Sequence, residues 1–265
     1  MDLDALDHRT LVALLAWQEE LGATEAIGDA PVNRYEEPVA KPNADAGPVV
    51  KRAEAAPAAV SSDPVGDAET AAAAAQTLAE LQAAMAAYPH CDLRLGARNL
   101  VFADGNPDAA VMIIGEAPGR DEDFEGRPFV GQAGQLLDRM LAAIGRDRAA
   151  PDADRAVYIT NILPWRPPQN RDPKPEEIAM FLPFVKRHVA LAAPAMLVLM
   201  GNVACQAILG RKGITRLRGT WTEALGLPCL PMFHPAYLLR NAHGKKDAWA
   251  DLLALQDRAR SLSTG

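Results

Sequence analysis

Four short apolar runs alternate with longer segments of helical periodicity, and this alternation limits the possible folds more than any other feature of the chain. Runs that are apolar at nearly every position are typical of strands buried on both faces of a parallel sheet. They cover Ala110–Gly115, Ala156–Leu163, Met196–Gly201 and Pro228–Phe233. The pattern predicts an α/β fold with three layers, α/β/α, around a central, mostly parallel four-stranded sheet.

The segments between these runs carry apolar residues at helical spacing. Predicted helices cover Asp67–Tyr88, Gln132–Ile144, Pro175–Leu191, the stretch from Gly201 through Leu209, and Ala248–Arg260. In a sheet of this kind, ligands bind beyond the carboxyl ends of the strands. The residues that follow each predicted strand are therefore the first candidates for a functional site.

The N-terminal part of the chain has a different composition. Leu6–Leu21 has the apolar stripe of one amphipathic helix, so residues 1–21 are assigned to an N-terminal helix. Residues 22–66 are rich in Ala, Pro and acidic residues and nearly lack large apolar ones, which predicts a flexible linker. Residues 67–265 then form the main domain, and the N-terminal helix is a possible docking element for a partner protein.

The charge of the chain is unevenly distributed. The net charge is −7, but residues 1–87 hold 5 Lys or Arg against 15 Asp or Glu, whereas residues 88–265 are net basic. Local charge matters more than the average for contact with nucleic acid, so the acidic composition does not exclude DNA binding.

Other bulk features exclude several classes of protein. The sequence has no apolar run long enough to span a membrane and begins without the basic region of a signal peptide, which predicts a cytoplasmic protein without a membrane partner. Three widely spaced cysteines, Cys91, Cys205 and Cys229, argue against a disulfide framework. Cys205 and Cys229 are expected to be core residues.

Polar and aromatic residues follow the predicted strands. Glu116 and Phe129 come after the first strand, Asn161 lies in the second, and His234 follows the fourth. An amide can both donate to and accept from a pyrimidine edge, and an aromatic ring offers a stacking surface. An imidazole can stabilise negative charge that develops on a departing base.

The segments GEAPGRDEDFEGRPFVGQAGQLLD, YITN, RPPQNR and HPAYLLRN resemble, in order and spacing, the motifs of family 4 of the uracil-DNA glycosylase superfamily. The resemblance covers roughly residues 89–255. It implies a monomeric enzyme of base excision repair that flips uracil out of DNA and hydrolyses its N-glycosidic bond. One of Asp121, Glu122 and Asp123 is expected to position water or cap a helix, without an indication of which.

By this resemblance, Glu116 orients water or balances the positive charge of the sugar, and His234 donates to uracil O2. Phe129 stacks on the flipped uracil and Asn161 binds its edge, while Gly115 and Ala117 let the backbone approach the base. The predicted DNA contacts are Gly119, Arg171, Pro235, Tyr237, Leu238, Leu239 and Arg240. Independently of the resemblance, Arg216 and Arg218 are added to them, because they belong to a basic cluster that lies next to several glycines and is either a contact with the DNA backbone or a solvated face.

Many family 4 members hold a [4Fe–4S] cluster through four cysteines, and here the resemblance breaks down. The four positions correspond to Tyr88, Cys91, Trp165 and Phe181, so three of the thiolates are absent. The sequence predicts no cluster, no metal and no other cofactor, with an apolar plug of Tyr88, Trp165 and Phe181 in its place.

Two alternatives share this fold. The chain could be a glycosylase for another deaminated or mismatched base, because the shape of the pocket decides which base fits. It could also be a non-catalytic DNA-binding protein, although a binding protein has no need of the histidine that assists a leaving group.

Overall fold

The computed structural model describes residues 63–263. The predicted N-terminal helix, and all of the predicted linker before Asp63, lie outside these residues. The first described helix, α1, begins at Pro64, within the predicted linker, where the Asp63 carboxylate accepts a hydrogen bond from Gly66 N at 3.0 Å. Among the described residues, no helix is long and apolar enough to cross a membrane.

The helical segment predicted over Asp67–Tyr88 is two helices, α1 (Pro64–Ala74) and α2 (Leu78–Ala87). The break is set by Thr77, whose hydroxyl accepts from Glu80 N at 3.1 Å and caps α2. The Glu80 carboxylate accepts in turn from Gln76 N at 2.7 Å. This polar capping site divides the alanine-rich segment, and the predicted helical spacing of Leu78, Leu81 and Met85 corresponds to α2.

A single mixed sheet forms the centre of the described residues, in the order β1-β3-β2-β4-β6-β5. The four inner strands are parallel to one another and correspond to the four predicted runs. The strands are β1 (Ala103–Gly105), β2 (Val111–Gly115), β3 (Tyr158–Asn161), β4 (Met196–Met200), β5 (Thr222–Ala224) and β6 (Leu227–Met232).

The count of four strands is corrected to six. The two additional strands, β1 and β5, are antiparallel edge strands of three residues each. Their sequences, ADG and TEA, are too short to show any hydrophobic alternation. The inner strands β2, β3 and β4 are buried at every residue, so both faces of the sheet are covered there.

Helices follow the strands as the alternation predicts. After α2 they are α3 (Leu93–Gly96), α4 (Arg120–Glu125), α5 (Gln132–Ala143), α6 (Pro175–Ala192), α7 (Gly201–Leu209), α8 (Ile214–Leu217), α9 (Pro235–Arg240) and α10 (Gly244–Ser263), with a short 3-10 turn at Pro168–Asn170. The connections that leave the carboxyl ends of β2, β3, β4 and β6 bring their polar residues to one edge of the sheet.

Candidate active site

A cavity of about 550 Å³ opens at the carboxyl ends of the inner strands. Its lining includes Glu116, Phe129, Asn161 and His234. Asn161 is the last residue of β3, and the other three come from three separate loops. Other predicted site residues in its lining are Ala117, Gly119, Arg171, Tyr237 and Arg240. The structure therefore brings together, in one cavity, the side chains that the sequence places far apart.

Gly115 lies directly beneath two of these residues. It pairs with Asn161 across β2 and β3, and a Cβ at Gly115 would come within 2.3 Å of Asn161 Oδ1 and 2.5 Å of the Phe129 ring. A real side chain cannot occupy that space. Gly115 thus allows the amide and the aromatic ring to sit against each other at the floor of the cavity.

Asn161 carries an unsatisfied acceptor. Its side chain is buried, and Oδ1 has no hydrogen-bond partner within the described residues. Buried polar atoms are nearly always paired, because an unpaired one loses its interaction with water without compensation. An unpaired oxygen in the wall of a cavity is therefore poised to accept from an N–H of a bound molecule.

Phe129 and His234 form a stacked pair in the same wall. Their ring centroids are 5.3 Å apart and their planes differ by 29°. The backbone of Phe129 has φ of 55°, in the left-handed region that non-glycine residues seldom adopt. The loop between α4 and α5 thus holds this ring in an uncommon conformation.

The imidazole of His234 is neutral and has a defined tautomer. Burial, assisted by the positive charge of Arg240, lowers the pKa of His234 to about 4. Ala236 N, in the first turn of α9, donates to Nδ1 at 3.2 Å, so Nδ1 carries a lone pair. The remaining proton of a neutral ring is then on Nε2, which leaves Nε2–H as a donor.

Glu116 is a carboxyl group with an unusual affinity for protons. Burial, assisted by the nearby negative charge of Asp172, raises the pKa of Glu116 to about 6. Asp172 also lines the cavity, a role that the sequence analysis missed although it directly follows the RPPQNR motif. The site therefore contains a carboxyl group with a pKa close to neutral pH and an uncharged hydrogen-bond donor, the Nε2–H of His234.

The acidic run after GEAPG divides into different roles. Glu122 accepts from Gly119 N with one oxygen, at 3.1 Å, and from Val130 N and Gly131 N with the other, both at 3.0 Å. Asp123 is buried and accepts from backbone N–H groups of the loop before β1. Glu122 is thus the residue of this run that shapes the cavity, which the sequence alone left open.

Several predicted DNA contacts occupy positions that limit that role. Arg218 pairs with Asp251, donates from Nε to Oδ2 at 2.8 Å and lies over the Phe233 ring, so its guanidinium fixes α10 instead of facing solvent. Leu238 is only 1% exposed and packs in the core. Neither charge nor sequence position reveals a partner 33 residues away or the buried face of α9, and a contact of either residue with DNA stays a prediction.

The other predicted contacts differ in their exposure and in their partners. Leu239, next to Leu238, is 45% exposed, and Pro235 is buried at the start of α9. Arg171 lines the cavity but forms a two-point ion pair with Glu177. Arg216 lies on α8, beside the left-handed Gly213. Gly119 lines the cavity, although its N–H is already bonded to Glu122.

Comparison with known proteins agrees with this arrangement. A family model described as the uracil DNA glycosylase superfamily matches residues 102–253, more than half of the chain. The chain belongs to this superfamily.

Among individual proteins, the chain is similar to type-4 uracil-DNA glycosylases. It is 41% identical to that of Thermotoga maritima over 154 residues, which cover 57% of this chain and 77% of the relative. It is 40% identical to that of Archaeoglobus fulgidus over 158 residues, covering 56% of this chain and 76% of the relative. A type-5 uracil-DNA glycosylase of Pyrobaculum aerophilum is 29% identical, over 51% of this chain and 64% of the relative.

Proposed function

We propose that this chain is a uracil-DNA glycosylase of DNA repair, which binds a uracil flipped out of DNA and hydrolyses its N-glycosidic bond to leave an abasic site. The observation that carries the proposal is the unpaired Oδ1 of Asn161, set beside the Phe129 ring and a neutral His234 in one cavity. Uracil offers an N–H for that oxygen, a flat face for the ring and a carbonyl for the imidazole.

The chemistry follows from these positions. The flipped base stacks on Phe129, and its N3–H donates to Asn161 Oδ1. As the bond between N1 and C1′ breaks, negative charge moves onto the uracil ring, and Nε2–H of His234 donates to O2. A neutral donor suits this task because it stabilises the leaving anion without first having to be protonated at neutral pH.

Glu116 serves the other half of the reaction. The sugar becomes positively charged as the base departs, and an ionised carboxylate either stabilises that charge or orients the water that adds to C1′. The water oxygen forms the new bond to C1′ and the water gives up one proton, so that the net reaction balances when the departed uracil anion takes up one proton. Both roles need Glu116 in its ionised form, so its raised pKa makes the reaction sensitive to mild acid.

We further propose that contact with DNA is made around the mouth of the cavity. Tyr237 and Arg240 line it, and the exposed Leu239 lies between them in sequence. A positive side chain there can pair with phosphate, and an apolar one can fill the space that the flipped base leaves. Arg216 and the backbone around Ala117 complete this proposed surface.

An iron–sulfur cluster does not fit the residues at the four positions that hold it in relatives of this kind. The Tyr88 ring packs edge-on against Phe181 at 5.7 Å and Phe184 at 5.4 Å, and Trp165 is buried. Burial raises the pKa of the Cys91 thiol, which disfavours the thiolate that binds iron. We therefore propose that aromatic packing replaces the cluster, and no step of the reaction passes through one.

The domain organisation remains a proposal as well. The glycosylase domain predicted over residues 67–265 is proposed to begin at least at Asp63, the cap of the first described helix, whereas the predicted N-terminal helix 1–21 and the predicted linker before Asp63 lie outside the described residues. The helix is proposed to dock a repair partner, and the glycosylase is proposed to act as a monomer.

Cleavage of a labelled oligonucleotide that contains one uracil, followed by alkali to break abasic sites, tests the proposed function. His234→Leu removes the proposed donor and is expected to slow cleavage about 10²- to 10³-fold, the usual effect of losing one preorganised donor. His188→Leu is the matched control, because His188 is also a buried imidazole with a lowered pKa but bonds Tyr158 outside the cavity.

The substrates are uracil opposite guanine, uracil opposite adenine and uracil in a single strand. No cleavage of any of them by the wild-type protein would contradict the proposal. Strand breakage at hypoxanthine or xanthine instead would identify a glycosylase for another base. Binding of uracil-containing DNA without cleavage would identify a non-catalytic protein.

A further inference from the structure

The loop that carries Phe129 is held from two sides by groups of opposite charge. On one side, the Glu122 carboxylate accepts from Val130 N and Gly131 N, both at 3.0 Å. On the other side, the Arg148 guanidinium donates from Nη1 to Pro128 O and from Nη2 to Phe129 O, both at 2.8 Å. Peptide groups before and after Phe129 are thereby fixed.

Arg148 is itself rigidly held. Two carboxylates flank the guanidinium, with Asp138 Oδ1 at 2.9 Å from Nε and Asp104 Oδ2 at 3.0 Å from Nη1. Its side chain is only 11% exposed. Because each of its nitrogens has an oxygen partner, this arginine is not available to bind phosphate, and it lies outside the lining of the cavity.

The conformation of Phe129 explains why such a clamp is needed. A phenylalanine at φ of 55° persists only when its surroundings enforce that conformation. The first turn of α5 also lies close to the same carbonyl: a Cβ at Gly134 would lie 1.8 Å from Phe129 O, so glycine is needed for this close approach. Free of these contacts, the loop would relax toward an ordinary φ and turn the ring away from Gly115 and His234.

We propose that Arg148 is a positioning residue for the proposed glycosylase: its guanidinium, bonded to Pro128 O and Phe129 O, holds the Phe129 ring at the angle that stacks on the flipped base. The inference rests on the proposed function. Arginine suits the position because its planar fork can donate to two adjacent carbonyls and two carboxylates at once. A lysine keeps the charge but cannot span both carbonyls.

The test compares Arg148→Lys with Arg187→Lys. Arg187 also donates two hydrogen bonds to a backbone carbonyl, that of Ala75, but far from the cavity. Single-turnover cleavage of uracil in DNA is measured well below the melting temperature of each variant. Arg148→Lys is expected to be at least tenfold slower than wild type, since small misplacements of a positioning group have effects of this size. Arg187→Lys should stay within about twofold.

A double variant separates positioning from general damage. If Arg148 acts through the ring, adding Arg148→Lys to Phe129→Ala has no further effect on the rate, because the ring that it positions is already absent. A rate lowered by the full product of the two single effects would overturn the inference. So would an Arg148→Lys enzyme that cleaves as fast as wild type.

A second readout does not depend on activity. The Phe129 ring stacks on His234, so its ring current shifts the NMR resonances of the imidazole protons. Arg148→Lys is expected to move these resonances toward their positions in Phe129→Ala, whereas Arg187→Lys leaves them in place. Unmoved resonances would refute the clamp. Inactive wild-type protein with moved resonances would refute the proposed function alone.

Discussion

The raised pKa of Glu116 predicts how cleavage depends on pH. Only the ionised form assists the reaction, and a pKa of about 6 leaves about one tenth of Glu116 ionised at pH 5 and about nine tenths at pH 7. Single-turnover cleavage under subsaturating conditions should therefore fall about tenfold between pH 7 and pH 5. The imidazole of His234, with its pKa of about 4, stays mostly neutral between pH 5 and pH 7. It therefore adds no second inflection to the pH–rate profile in this range.

Asp172 offers the perturbation that tests the cause. Its negative charge contributes to the raised pKa of Glu116, so Asp172→Asn should lower that pKa. The acidic limb of the pH–rate profile, where cleavage slows as the pH falls, should then shift to lower pH. Glu176→Gln removes a nearby exposed charge that does not act on Glu116 and should leave the limb unchanged. Rates are normalised to each variant's plateau above pH 7.5.

The outcome in the bound state should differ in a defined direction. DNA phosphates place further negative charge near the cavity, so the pKa of Glu116 should be higher in the bound protein than in the free protein. The acidic limb of the maximal rate, which reports the bound protein, should therefore lie at higher pH than the acidic limb of kcat/KM, which reports the free protein. A wild-type rate that is flat from pH 5 to pH 7 would refute the role of the Glu116 carboxylate. An unshifted limb in Asp172→Asn would refute the electrostatic coupling.

Two further predictions concern the floor and the mouth of the cavity. Gly115→Ala places a methyl group where the Asn161 amide and the Phe129 ring now lie, so uracil cleavage should fall at least 100-fold; Gly96→Ala, where a Cβ meets nothing within 4 Å, should cleave like wild type. Leu239→Ala should slow cleavage of duplex DNA about tenfold and spare single strands, because an exposed apolar side chain can fill the vacated stack. Leu253→Ala, a leucine of similar exposure on α10, is its control, and equal loss on both substrates would refute a role in the duplex.

The inner sheet and the four central site residues were predictable from the sequence. Short runs that are apolar at nearly every position identify buried strands, and the rule that ligands bind at strand ends locates Glu116, Asn161 and His234. Phe129 was predictable only through its motif, because nothing in the local pattern indicates a left-handed phenylalanine. The edge strands were not predictable, since three residues are too few to show the alternation of apolar and polar side chains that identifies a strand.

Residues that act through partners distant in sequence escaped the sequence analysis. Arg148 binds backbone carbonyls about 20 residues away, and backbone groups leave no trace in the amino-acid pattern. Arg218 was assigned to DNA because it lies in a basic cluster, whereas its carboxylate partner is on the last helix. Charge in a sequence indicates what a side chain can bind, but only the fold decides which partner it has.

The brevity of the two edge strands affects how the folded protein behaves when it is crowded. A sheet edge presents unpaired backbone groups to which a neighbouring chain can add its own strand. Here β1 and β5 are three residues long, so a second molecule gains only a few hydrogen bonds by docking there. Native molecules are therefore poor templates for fibre growth. Loss of material on storage or heating is expected to follow unfolding, with turbidity rising only after the cooperative transition.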